Sequence, residues 1–427
     1  MVQRNKAPLL SPLSEPALLP YNRFMLPNGI EVVYIHDPAQ EVFKIDVIFE
    51  AGIYYQSRPL IASTAINMLN EGTLHHHSEE IADLFDYYGA YIDFNCGLNK
   101  SELSLISLSK YAEPTLNMLV EMLTESIVPE KELDIFLTNK RQEFLVNQEK
   151  TSYMARKEFS RLLFGASHPY ANKVSPEDYN RVTRTEVLHF YQEHIHAGNC
   201  RIMLCGNISD TLLQIVTREF TRLARPKNSG ESNLLPFAPA PVGYYHVQKN
   251  NAAQTSLRMG KTGVRLDHPD YARFLLLNTV LGGYFGSRLM SNIREEKGYT
   301  YGINSFNVSM PQGSYWCIAA EINNQYIQAA IQETLKEVER LRTEPIPQDE
   351  LNLVKSYLHG DLLRELDGVF AQSDALKHKL NYSMDNSIYL RLIQEISATT
   401  NEELLFLAQR YWNPDDFYIV TAGKTSD

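Results

Sequence analysis

Histidine and carboxylate side chains cluster at two places in this 427-residue chain, and each cluster raises the question of a metal centre. His75, His76 and His77 precede Glu79 and Glu80, a donor set of the kind zinc accepts. The run follows Gly72-Thr73, where one helical stripe ends and the next helix begins, so it reads as a solvated polar loop. Residues 189–194 read HFYQEH. Five positions along a helix rotate the second imidazole by about 140° from the first, too far round to share one ion cleanly. This segment reads as a surface helix. The glycine-rich run Gly282-Gly283-Tyr284-Phe285-Gly286 suggests a phosphate cradle, but it lacks the Lys-Ser/Thr of such loops and does not follow a strand. Cys96, Cys200, Cys205 and Cys317 have no CxxC spacing, and Cys200 and Cys205 fall on opposite faces of one strand. They read as reduced thiols. Arg294 and Tyr301 end the stretch REEKGYTY, which offers a permanently protonated guanidinium and a phenol as hydrogen-bond donors.

The elements that must position these groups occur twice. Residues 182–206 and 399–423 align without a gap at an offset of 217. Thr183, Glu186, Leu188, Gln192 and Gly206 meet Thr400, Glu403, Leu405, Gln409 and Gly423. PEKEL at 129–133 and PQDEL at 347–351 open helical patterns at an offset of 218. Such a period is too long for a solenoid and implies two homologous domains. We assign them to 1–224 and 243–427, joined by a Pro-, Ser- and Asn-rich linker at 225–242. After a proline-rich arm, Asn28-Gly29 signals a hairpin and Val42–Glu50 a strand. Helices follow over Ile61–Leu69 and from Ser78 to Gly89, then a meander over Tyr91–Ser109, two long helices and a closing strand at Arg201–Cys205. The second half repeats that order. Each half is expected to be α+β, an antiparallel sheet with helices on one face.

Composition narrows the functional classes. A net charge of −11 without a basic stripe argues against a nucleic-acid partner. Apolar stretches stay well below about 18 residues, so no transmembrane helix is expected. The amino-terminal segment has no continuous apolar core of a signal peptide, which points to the cytoplasm.

The run AGIYYQSRPLIASTAINMLNEGT, the repeat, and REEKGYTYGINSF together resemble the pitrilysin/insulinase-type zinc metallopeptidases, the clan that includes the mitochondrial processing peptidase. The resemblance spans about Leu26 to Gly423. It implies an inverted zinc motif, H-x-x-E-H, on a helix of the first domain, with a later glutamate completing the coordination. Gly72-Thr73 sets the register. The motif positions then fall on Ser63, Ile66 and Asn67, so both histidines and the general base are missing, while the later glutamate falls on Glu143. No metal is expected in this chain, because a hydroxyl, an amide and one carboxylate form a poor zinc site. The resemblance also makes Arg294 and Tyr301 donors to peptide carbonyls beside the scissile bond.

These points lead to one expectation: a non-catalytic, substrate-positioning subunit of a two-subunit zinc endopeptidase. Its partner would be a homologous chain carrying the intact motif and the zinc, and its ligand an extended peptide added to a sheet edge. The alternatives are a structural pseudopeptidase that serves as a scaffold, and a peptide-binding module without hydrolysis.

Overall fold

A computed structural model describes residues 15–171, 173–225 and 235–424. The start of the proline-rich arm and residues 226–234 of the linker lie outside the described residues. In the first half, β1 (Asn22–Met25) turns through Asn28-Gly29 onto β2 (Glu31–His36), with Met25 opposite Glu31. Next come β3 (Val42–Phe49), α1 (Ile61–Asn67), α2 (Ser78–Tyr87), and the meander β4 (Tyr91–Cys96) and β5 (Ser101–Leu108). Helices α3 (Ala112–Glu125), α4 (Glu130–Gln148), α5 (Thr151–Phe164) and α6 (Arg184–His194) lead to β6 (Cys200–Gly206) and α7 (Asp210–Phe220).

The second half runs β7 (Tyr244–Gln248), β8 (Gln254–Thr262), α8 (Tyr271–Asn278), then two π-helical segments at Thr279–Gly283 and Met290–Glu296. It continues with β9 (Thr300–Met310), β10 (Gly313–Asn323), α9 (Ile327–Thr343), α10 (Gln348–Arg364), α11 (Gly368–Leu380), α12 (Ser387–Ala398), α13 (Asn401–Tyr411) and β11 (Tyr418–Gly423).

Two sheets result, ordered β1-β2-β6-β3-β5-β4 and β7-β11-β8-β10-β9. Apart from β1, the strands correspond one to one in the same order. The repeated residues explain part of this. Thr183 and Glu186 form a capping box on α6, and Thr400 and Glu403 form the same box on α13. Each box satisfies amide donors that the first helical turn leaves free. Gly206 and Gly423 end the closing strands that follow.

The sheets are mixed rather than antiparallel throughout. β6 lies parallel to β2, with Arg201 opposite Glu31, and β11 lies parallel to β7, with Ile419 opposite Tyr244. Each closing strand returns after a long helical excursion, β6 inserting between β2 and β3 and β11 between β7 and β8, and only a long crossover permits a parallel neighbour.

Helices also cover both faces of each sheet, not one. α5 of the first half packs on β8 and β11 of the second, and α11 of the second packs on β6 and β2 of the first. Ala155, Phe159 and Leu162 of α5 are buried with Cys317, Val420 and Ala422. Val369 and Leu376 of α11 are buried against Val33, Ile35, Ile48 and Met203. Each large apolar side chain buried there contributes about 1.5–3 kcal/mol, which fixes the halves against each other.

Charge reinforces the second contact. Asp46 on β3 is buried and accepts hydrogen bonds from Ser104 at 2.5 Å and from Lys377 of α11 at 2.7 Å. Lys377 also reaches Glu102 at 2.5 Å, while Lys44 binds Asp374 of α11 at 2.6 Å.

Candidate functional site

α1 brings the three motif positions close together, with Ile66 buried and Ser63 and Asn67 half-buried. The Ser63 hydroxyl donates to the Leu60 carbonyl at 3.1 Å, and the Asn67 amide donates to the Ser63 carbonyl at 2.8 Å. Ile66 is wholly buried in the first-half core. Glu143 lies exposed on α4, where Lys140 binds it at 2.9 Å. These residues do not fit zinc. The amide is committed to its own helix, the central position is aliphatic, and the carboxylate is tied up at the surface. Among the described residues, no three His, Cys, Asp or Glu side chains are grouped to hold a metal ion.

Histidines of both clusters have local partners. His75 pairs with Glu125 at 3.0 Å and His76 with Glu121 at 2.7 Å, so this run leans on α3 more than a freely solvated loop would. Burial alone would raise the Glu121 pKa, but bonds from Thr73 and His76 outweigh it and hold the carboxyl below its usual value. On α6, His189 is exposed beside Glu193, and His194 packs its ring 4.4 Å from that of Phe190. All four cysteines are free.

The second half presents its groups outward. Asn278, at the end of α8, donates to the Ser305 carbonyl at 3.1 Å and accepts from the Trp316 indole at 2.8 Å. This seats the following π-helical turn on β9. The seat is close: a Cβ on Gly282 would lie 2.7 Å from the Ser305 amide nitrogen, so only glycine fits. The turn carries Phe285 into solvent, and the Arg294 guanidinium sits 4.5 Å from the Phe285 ring centre. Arg294 enters no ion pair among the described residues, although Glu295 and Glu296 adjoin it and are exposed. Gly298, at φ +67°, makes the left-handed turn that starts β9.

Tyr301 lies in a β-bulge. Thr300 faces Ile322 and Ile303 faces Ala320, so Tyr301 and Gly302 together oppose Glu321. The Thr300 hydroxyl binds the Glu321 carbonyl at 2.6 Å and holds the bulge shut. A bulge re-aims the side chain it carries, and Tyr301 is 91% exposed. Sequence reasoning assigned no part to Phe285 and did not foresee the bulge. A glycine inside a strand pattern, here Gly302, was the available signal for it.

Residues 181–358, a stretch that contains Arg294 and Tyr301, match the family described as the peptidase M16 inactive domain. A crystal structure of a peptidase M16 inactive domain from Pseudomonas fluorescens superposes with a TM-score of 0.84 at 25% identity, over 96% of this chain and 99% of that one. Over nearly its whole length the chain is similar to pitrilysin/insulinase-like peptidases. An uncharacterized zinc protease of Rickettsia felis is 24% identical over 362 residues, covering 83% of this chain and 86% of that protein. The β subunit of the mitochondrial-processing peptidase of Saccharomyces cerevisiae is 20% identical over 461 residues, covering 99% and 95%. A Helicobacter pylori protease shares the fold, with a TM-score of 0.84 at 17% identity.

Within that scaffold the chain keeps a cation on an exposed aromatic ring and a projecting phenol, while α1 offers no base and no metal ligand. Such a surface can hold carbonyl oxygens. It has no group at α1 to activate water. Among the described residues, no helix is long and apolar enough to cross a membrane.

Proposed function

We propose that this chain is the substrate-positioning subunit of a two-subunit zinc endopeptidase that cleaves extended peptides. A homologous partner would carry the intact inverted motif, the metal and the general base. The observation that carries the reading is the contrast between the two halves. At the motif positions of α1, Ile66 is in the core and the Ser63 and Asn67 side chains bond to their own helix, whereas Tyr301 is exposed and half-buried Arg294 has no carboxylate partner among the described residues. An arginine kept for stability alone is normally paired or buried. Among the described residues its charge rests on Phe285 alone, a contact worth about 0.5–1 kcal/mol, which leaves its donors available. In this role Arg294 and Tyr301 donate to backbone carbonyls of the peptide and fix its register while the partner delivers the hydroxide. Assembly of the family relative from yeast as a subunit, as its name states, supports a paired arrangement.

The test is Tyr301→Phe, which deletes one hydroxyl and no packing volume. In a complex with a motif-bearing partner, kcat/KM should fall by roughly ten-fold or more, and Arg294→Ala should cost about 10²-fold, as single oxyanion donors do. Melting temperature and association should stay unchanged. Full activity of both variants would remove the positioning role and leave a scaffold.

A further inference from the structure

A cavity of about 430 Å3 lies where the halves meet. Its first-half side is the loop ahead of α1 together with α5, and its second-half side is the end of β9 and the start of β10. Leu98, Phe164, Pro169, Met310 and Tyr315 give it apolar walls. Arg58, Arg156 and Lys173 also line it, and among the described residues no aspartate or glutamate does.

The cations are only partly balanced. Arg58 reaches Glu186, which does not line the cavity, through one terminal nitrogen, and its Nε is buried without a partner. Arg156 enters no ion pair among the described residues, and its guanidinium lies 5.7 Å from the Tyr153 ring centre. Lys173 donates to the Ser167 carbonyl, a neutral acceptor. Burial pushes up the pKa of the Tyr315 phenol, and Arg258 and Arg156 oppose that rise, so both guanidiniums act on this wall. A cleft with low-dielectric walls and charge of one sign concentrates the opposite charge. The walls offer an apolar face beside the cations, and the volume falls in the range of small-ligand sites.

We propose that this cavity binds a carboxylate carried on an apolar body, with the charge toward Arg156, Lys173 and Arg58 and the body against Leu98, Met310 and Tyr315. Ser63 borders the same cavity, so the helix position that resembles a metal ligand in the family opens here onto an anion site. The cavity is complete within one chain and stands independently of any partner subunit. Two sources present this chemistry, the free carboxyl terminus of an apolar peptide and an aliphatic acid.

Isothermal titration of the full chain separates them, using N-acetyl-Leu-Phe as the free acid, the same dipeptide as its amide, and decanoate below its micellar concentration. The acid should bind at least ten-fold more tightly than the amide, because a charge-assisted contact is worth about one decade of affinity or more. Binding of decanoate alone would keep the site and assign it to aliphatic acids. Arg156→Gln changes an exposed α5 residue and should weaken the bound acid about ten-fold at an unchanged melting temperature. Ser160→Trp, which fills the cavity from α5, should abolish binding. Equal binding of acid and amide, an unaltered affinity in Arg156→Gln, or no binding of any probe at millimolar concentration would overturn the proposal.

Discussion

Replacing Lys377 with methionine removes the charge that joins α11 to the first sheet and keeps most of the side chain's volume. Lys377 lies 2.7 Å from Asp46 and 2.5 Å from Glu102, and the Asp46 side chain is only 1% exposed. Breaking a buried pair by removing one partner costs about 3–5 kcal/mol, since the remaining charge is stranded. Two features place the cost near the lower end. Lys44 remains 3.3 Å from Asp46, and Glu102 is 22% exposed, so water can replace part of what it loses. A loss of about 3 kcal/mol in a unit of roughly 200 residues lowers the melting temperature by roughly 6–12 °C.

The pH dependence is fixed by the same contacts. Burial would lower the Lys377 pKa, but Asp46 and Glu102 outweigh it and hold the ammonium above its ordinary 10.5. Its contribution is therefore complete below that value and fades only as pH rises through the folded one. Burial would raise the Asp374 pKa, yet Lys44 and Lys377 outweigh it and hold it below 3.8, so its contribution is lost only as pH falls through a still lower value. Between pH 5 and 9 the Lys377→Met deficit should be flat. Calorimetry across that window tests it, with Lys377→Met/Asp46→Asn as the control that should recover most of the loss. A single variant within 0.5 kcal/mol of the parent (about one third of a decade in the folding constant), or a deficit that changes by half across the window, would refute the argument.

Gly282→Ala drives a methyl group against the Ser305 backbone and should cost about 1–3 kcal/mol by denaturant unfolding; an unchanged midpoint would mean that the turn is not seated on β9 as described. Thr400→Ala removes the cap of α13 and should cost about 1 kcal/mol, read as a shift of the urea midpoint at constant slope. Ser63→His/Asn67→His puts two imidazoles one turn apart, so zinc should bind measurably by competition with a chromophoric chelator. Because Ile66 stays in the core, the isolated double variant should gain no peptidase activity, and hydrolysis by it would mean that a base other than position 66 operates.

The repeat was legible because it is written in local chemistry. Thr183/Glu186 and Thr400/Glu403 cap helices through contacts three residues apart, and Asn28-Gly29 turns a hairpin through its own backbone. The α+β class and the element order follow from such short-range patterns, whereas the reading of Ser63, Ile66 and Asn67 as motif positions came from the resemblance. The tertiary structure alone decided what these elements meet. The exchange of α5 and α11 between the halves depends on apolar faces far apart in sequence, and an amphipathic pattern says that a helix is covered without saying by what. For the same reason the parallel pairs β2–β6 and β7–β11 were invisible, since period-two alternation carries no strand direction. Glu143 aligned with a ligand position, yet its side chain faces solvent beside Lys140. The exposure of Tyr301 depends on one extra residue between two ladder pairs, and the Arg156 cavity exists only because the second sheet closes over α5. Sequence determines which groups the chain owns and how they are spaced within an element. Which of them share a surface is set by contacts between distant segments.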